Sequence, residues 1–164
     1  MKTLLVLRHA KSSWSEPDLP DHDRPLNRRG QRDAPRMGRL IKQQGLTPSL
    51  ILSSTAVRAH TTARYVAQQC GCDAQIDLIP RLYLAGPQTY LDHLYGLDDN
   101  HTVVMVVGHN PGLEDLLERL TGAYHKMPTA ALAHLRLDAS RWQDVTWNTA
   151  QLIHLWRPKD PSPS

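Results

Sequence analysis

At 164 residues, with 40% hydrophobic and 21% charged side chains, the chain can bury a real core and fits one domain. Its net charge of +3, from 19 basic and 16 acidic residues, comes with no dense Lys/Arg run, which argues against nucleic acid and suits an anionic substrate. No apolar segment is long enough to span a membrane, and the stretch Met1 to Leu7 is too short for a signal-peptide core and runs straight into Arg8, His9 and Lys11, so the expected location is the cytoplasm.

Thr3 to Leu7 is a compact apolar run with the character of a buried strand. Ser12 to Pro25, rich in Ser, Asp and Pro, has no period and reads as a long loop of the kind that carries function. Asn27 is a good N-cap for a helix that stops at Gly45, with Ala34, Met37, Leu40 and Ile41 on one face and Pro35 as a late start or a kink. Leu50 to Leu52 is a second strand, after which Ser53, Ser54 and Thr55 supply capping hydroxyls for a helix from Ala56 to Gln69. Cys70 and Cys72 are too close for a structural disulfide and make only half a zinc site, so Cys-Gly-Cys reads as a turn. Gln75 to Ile79 is a third strand, and Gln88 to Tyr95 a short helix with Leu91, Leu94 and Tyr95 inward. Thr102 to Val107 is the clearest strand. Asn110-Pro111 opens the next helix, with Pro at the first helical position and Glu114 and Asp115 in the first turn. Ala131 to Leu137 and Thr149 to Leu155 read as late strands around a Trp-rich turn. Residues 1–157 are expected to form a single domain and 158–164 a flexible Pro/Ser-rich tail.

Strands alternating with helices predict an α/β fold, three layers α/β/α around a mostly parallel sheet. Ligands then bind outside the carboxyl ends of the strands. That rule brings together three clusters distant in sequence: Arg8-His9, then Ser53-Ser54 with Arg58, then Gly108-His109-Asn110. Arginine forks match phosphoryl oxygens. A neutral imidazole is a competent nucleophile near neutral pH, and a second, protonated one can stabilise the transferring group. With no P-loop and no carboxylate cluster for magnesium, the set fits metal-independent phosphoryl transfer through a covalent phosphohistidine, with no cofactor.

Leu4-Leu5-Val6-Leu7-Arg8-His9-Ala10 resembles the signature of the histidine phosphatase superfamily, the phosphoglycerate mutase-like enzymes. Residues 53–63, Ser-Ser-Thr-Ala-Val-Arg-Ala-His-Thr-Thr-Ala, resemble its second motif, and Val107-Gly108-His109-Asn110-Pro111-Gly112 its third. The short length, the stretch Arg8 to Trp14 and the segment Asp21-His22-Asp23-Arg24-Pro25-Leu26 look most like the small SixA-type phosphohistidine phosphatases. The resemblance implies His9 as nucleophile, Arg8 and Arg58 as clamps on the phosphoryl oxygens, and His109 completing the pocket. Arg24, Asp21 and Ser54 are further substrate-binding candidates.

Many superfamily members protonate an alkoxide leaving group with an acid near the third strand. The matching segment here, Ile79 to Tyr83, has no carboxylate, and Asp21 or Asp23 from the loop are the alternatives. An imidazole leaves with less help than an alcohol, so the expected substrate is protein phosphohistidine, as on a histidine-phosphotransfer protein in signal transduction. A small phosphorylated metabolite, and a phosphate-dependent binding module without catalysis, are the rival readings. His60 is expected to point elsewhere on its helix, and His22, His93, His101, His125, His134 and His154 to be surface or core residues. Trp14 is placed beside the mouth of the site.

Overall fold

The computed structural model describes residues 1–71 and 73–158. The Cys-Gly-Cys reading through Cys72 and the tail reading from residue 159 onward lie outside the described residues. Six strands form one sheet: β1 (Lys2–Arg8), β2 (Leu50–Ser54), β3 (Gln75–Ile79), β4 (Val103–Gly108), β5 (Leu132–Leu137) and β6 (Ala150–Trp156), in the order β3-β2-β4-β1-β5-β6. The first four run parallel, and β5 and β6 add an antiparallel edge. Four helices, α1 (Arg28–Gln43), α2 (Val57–Cys70), α3 (Pro87–Tyr95) and α4 (Gly112–Thr121), cover the two faces.

The pleat of β1 explains the layering. Leu5 and Leu7 point to one side, where they pack with Met37 and Ile41 of α1 and Ala59, Ala63 and Val66 of α2. Leu4 and Val6 point to the other, against Leu91 and Leu94 of α3 and Leu113, Leu116, Leu117 and Leu120 of α4. All four strand residues are fully buried, so the near-continuous apolar run is what a two-sided parallel strand requires. The three-layer α/β/α architecture with a mostly parallel sheet is the observed one.

Local expectations divide. Asn27 caps α1, its side chain accepting from the Gly30 N–H at 2.9 Å. Pro35 neither delays nor ends that helix. The carbonyl it fails to pair belongs to Gln31, an exposed residue whose C=O water can serve. Pro111 is not the first helical residue but the N-cap of α4. The helix begins at Gly112, which packs so closely on the Ala85 carbonyl that a Cβ would collide with it. Tyr95 is 37% exposed rather than inward, and Tyr90, five residues earlier on α3, takes the buried position at 1%. Ser53, Ser54 and Thr55 do not cap α2, whose N-cap is Ala56 without a side-chain bond. Among the described residues no helix is long and apolar enough to cross a membrane.

Candidate active site

Register places the two histidines. β1 and β4 pair in parallel with Arg8 opposite Gly108, so the residues that follow, His9 and His109, leave the sheet side by side. Their ring centroids lie 5.1 Å apart. On the other side of β4, Ser53 pairs with Val107, which brings Ser54 level with the same strand end. The Ser54 hydroxyl lies 2.8 Å from His109 Nε2. These positions lie at the carboxyl ends of parallel strands, where such sheets hold their ligands.

Each ring is oriented by a second contact. His9 Nδ1 lies 2.8 Å from the Ala10 carbonyl, to which it can only donate, and this leaves Nε2 with a free lone pair. The Ser54 hydroxyl oxygen accepts from the Ala56 N–H at 3.1 Å. Its own proton has one acceptor within reach, His109 Nε2, which leaves the ring's proton on Nδ1. That nitrogen is buried and has no partner. His9 is 6% and His109 2% exposed. Burial, with the repulsion of neighbouring cations, lowers His9 to about 3 and His109 to about 4. Both rings are therefore neutral near pH 7 in the unliganded protein. In the unliganded protein desolvation, then the Arg58 charge, keeps His109 uncharged.

Three guanidinium groups surround the pair. Arg58, in the first turn of α2 and 4% exposed, spends both terminal nitrogens on Asp21: Nη1 donates to its carbonyl at 2.7 Å and Nη2 to its carboxylate at 3.0 Å. Its Nε has no partner. Arg8 donates Nη1 to the Met127 carbonyl at 3.1 Å and also leaves Nε unpaired. Arg24, 7% exposed, donates Nη2 to Ser12 Oγ at 2.7 Å and leaves Nε and Nη1 without a hydrogen bond, with Nε 3.4 Å from the Asp21 carboxylate. Buried donors without acceptors are rare and each calls for a reason. Five of them, two on Arg24 and one each on Arg8, Arg58 and His109, belong to residues lining one cleft of about 220 Å³. An oxyanion with several acceptor oxygens would satisfy them together.

The cleft is lined by Arg8, His9, Arg24, Arg58 and His109, with Lys11, Ser12, Trp14, Leu84, Asn110 and Thr129 completing it. Ser54 and Asp21 stand outside the lining. Ser54 is fully buried behind His109. Asp21 holds Arg58 and accepts a 2.5 Å hydrogen bond from the Tyr83 hydroxyl. That bond, with Arg58 beside it, holds the carboxyl below its ordinary value, so it is ionised and has no proton to give near neutrality. Asp23 is exposed and pairs with His22 at 3.3 Å.

Sequence reasoning gave no role to Tyr83, Thr62 or His22. Tyr83 sets its ring edge against both His109 and His22. His22, expected to be a surface or core residue, is half-buried and reaches Thr55 Oγ1 at 2.8 Å, which ties the loop to the start of α2. Thr62 Oγ accepts from the Ala10 N–H at 3.0 Å and donates to the Arg58 carbonyl at 2.7 Å. It locks the segment that carries His9 to the turn that carries Arg58. The i, i+4 spacing of Arg58 and Thr62 was the available signal. Among the described residues no three His, Cys, Asp or Glu side chains are grouped to hold a metal ion.

Comparison with known proteins identifies the family. Residues 4–83 match the model of the histidine phosphatase superfamily (branch 1). The Mycobacterium tuberculosis protein Rv1276c is 35% identical over 164 residues, covering 93% of this chain and 100% of its own. The Arabidopsis thaliana protein At3g52155, named as chloroplastic, is 33% identical over 153 residues, 88% of this chain and 70% of that one. A crystal structure from Agrobacterium tumefaciens, of a protein assigned as the phosphohistidine phosphatase SixA, superposes with a TM-score of 0.83 at 31% identity, covering 96% of this chain and 98% of that one. The protein histidine phosphatase SixA complexed with tungstate shares the fold, with a TM-score of 0.82 at 21% identity over 95% and 97% of the two chains. The chain belongs to the histidine phosphatase superfamily, and it is a phosphatase of the SixA-like kind.

Proposed function

We propose that the protein hydrolyses phosphohistidine in a protein partner, such as a histidine-phosphotransfer protein, through a covalent intermediate on His9 and without a metal ion. Residues 1–157 would act as one catalytic domain, in the cytoplasm. In the first step the His9 Nε2 lone pair forms a bond to phosphorus while the bond from phosphorus to the substrate's imidazole nitrogen breaks, and that nitrogen keeps the electron pair. Arg8, Arg24 and Arg58 bind the phosphoryl oxygens, and His109 Nδ1–H donates to one of them. In the second step water attacks phosphorus, the bond to His9 breaks, and phosphate leaves. Fixed donors that meet charge as it develops are the principal source of acceleration in such a site.

The observation that carries the substrate choice is the absence of any Asp or Glu among the cleft's lining residues, with Asp21, the carboxylate on Arg58, ionised and bound also to Tyr83. An alkoxide leaves poorly without a proton donor. A phosphorylated imidazole protonated on its other nitrogen leaves as a neutral ring and needs none. The test is kcat/KM, in a chelator-containing buffer, on a phosphohistidine protein, on phosphoserine and on sugar phosphates. The expected result is a preference for the phosphohistidine protein; faster turnover of a sugar phosphate would replace this reading with a small-molecule phosphomonoesterase.

A further inference from the structure

The cleft is cationic at its floor and apolar at its mouth. Of the large hydrophobic side chains exposed on the described surface, Trp14 (70% exposed) and Leu84 (58% exposed) line this cleft. Single exposed apolar residues are common and carry no message. These two have further features. The Trp14 indole lies over the Arg24 guanidinium, 3.5 Å from its carbon to the ring centroid. Arg24 is itself fixed by Ser12, so the indole is a held surface with one face on Arg24 and the other open. Leu84 adopts φ 54°, the left-handed conformation that a leucine enters at a cost and a glycine enters freely. No burial offsets that cost, because the side chain points into solvent at the rim. Backbone strain of this kind collects at ligand-gripping positions.

We propose that Trp14 and Leu84 form the leaving-group subsite, which holds the flat imidazole ring of the substrate while the floor holds its phosphoryl group. This rests on the reading that phosphohistidine is the substrate and adds the residues that select it. A phosphoryl group seated on Arg8, Arg24, Arg58 and His109 must direct its leaving group toward the mouth, because the attack from His9 comes from within. There the ring meets the open indole face and the leucine side chain. Stacking and apolar contact of this size favour a ring over a hydroxylated or carboxylated leaving group by about three- to tenfold.

The test compares free phosphohistidine with phosphoramidate, which also breaks a phosphorus–nitrogen bond but has no ring. The ratio of kcat/KM for the two is measured in the wild type, Trp14→Ala, Trp14→Phe and Leu84→Ala. The expected result is a ratio lower by about three- to tenfold in Trp14→Ala and in Leu84→Ala, and restored in Trp14→Phe. An unchanged ratio in either alanine variant overturns the proposal. So does a parallel fall for both substrates, which would mean that Trp14 acts only by holding Arg24. Phenyl phosphate serves as a third substrate: if the wild type prefers it to phosphohistidine, the subsite takes a phenol and the assignment is wrong. Failure of the underlying reading is separate, because it appears as a wild type that does not turn over phosphohistidine at all.

Discussion

Acidification from pH 7 to pH 5 should destabilise this protein through its own active site. His9 and His109 titrate at about 3 and about 4 in the folded state because both are buried among cations. In the unfolded chain each titrates near 6.5. Between those values the unfolded chain binds protons that the folded chain refuses, so stability rises with pH across the window and falls as pH drops through it. At pH 5 an unfolded histidine is almost fully protonated and both folded ones are almost fully neutral. Each then contributes about 2 kcal/mol of lost stability relative to pH 7, about 4 kcal/mol together. The figure depends little on the folded values as long as they lie below 5. Urea denaturation at the two pH values measures it, with His9→Ala for comparison. The pH-dependent loss should shrink by about 2 kcal/mol in the variant, whatever its absolute stability. An identical pH-dependent loss in wild type and variant, or a His9 ring resonance that titrates near 6.5, would refute the reasoning.

Other perturbations separate the roles of the surrounding groups. Arg58→Lys keeps the charge but loses the fork on Asp21 and the Nε–H, and kcat/KM should fall roughly 100- to 1000-fold. Asp21→Asn removes the ion pair that aims Arg58; KM should rise several-fold with less change in kcat. Tyr83→Phe should do the same more weakly, and the double variant should lose less than the sum, since both act through one hydrogen-bonded unit. Gly112→Ala drives a Cβ into the Ala85 carbonyl at the start of α4, and denaturant unfolding should show a loss of about 1–3 kcal/mol.

Arg8, His9, Arg58 and His109 were legible in the sequence because each ends a strand or follows one closely, and strand ends of a parallel sheet meet at one rim. The pairing of Arg8 with Gly108 turns that rule into adjacency of two rings. The support around them was not legible. Asp21 meets Tyr83 across 62 positions of chain, and Ala10 meets Thr62 across 52; no local period encodes such contacts. Ser54 was chosen as a capping hydroxyl and a phosphate contact, and its place behind His109 follows from the pairing of β2 with β4, which propensity does not specify. The neutrality of both rings in the unliganded protein was not legible for a related reason: burial decides it, and burial is a property of the assembled layers.

The central claim is transfer of the phosphoryl group to His9, and it is tested most directly by trapping. The protein is mixed with phosphoramidate, quenched under alkaline conditions that spare phosphorus–nitrogen bonds, digested and examined by mass spectrometry. The account predicts a phosphoryl adduct on the peptide carrying His9, absent from His9→Ala. Hydrolysis that persists in His9→Ala, or an adduct on any other residue, would contradict it.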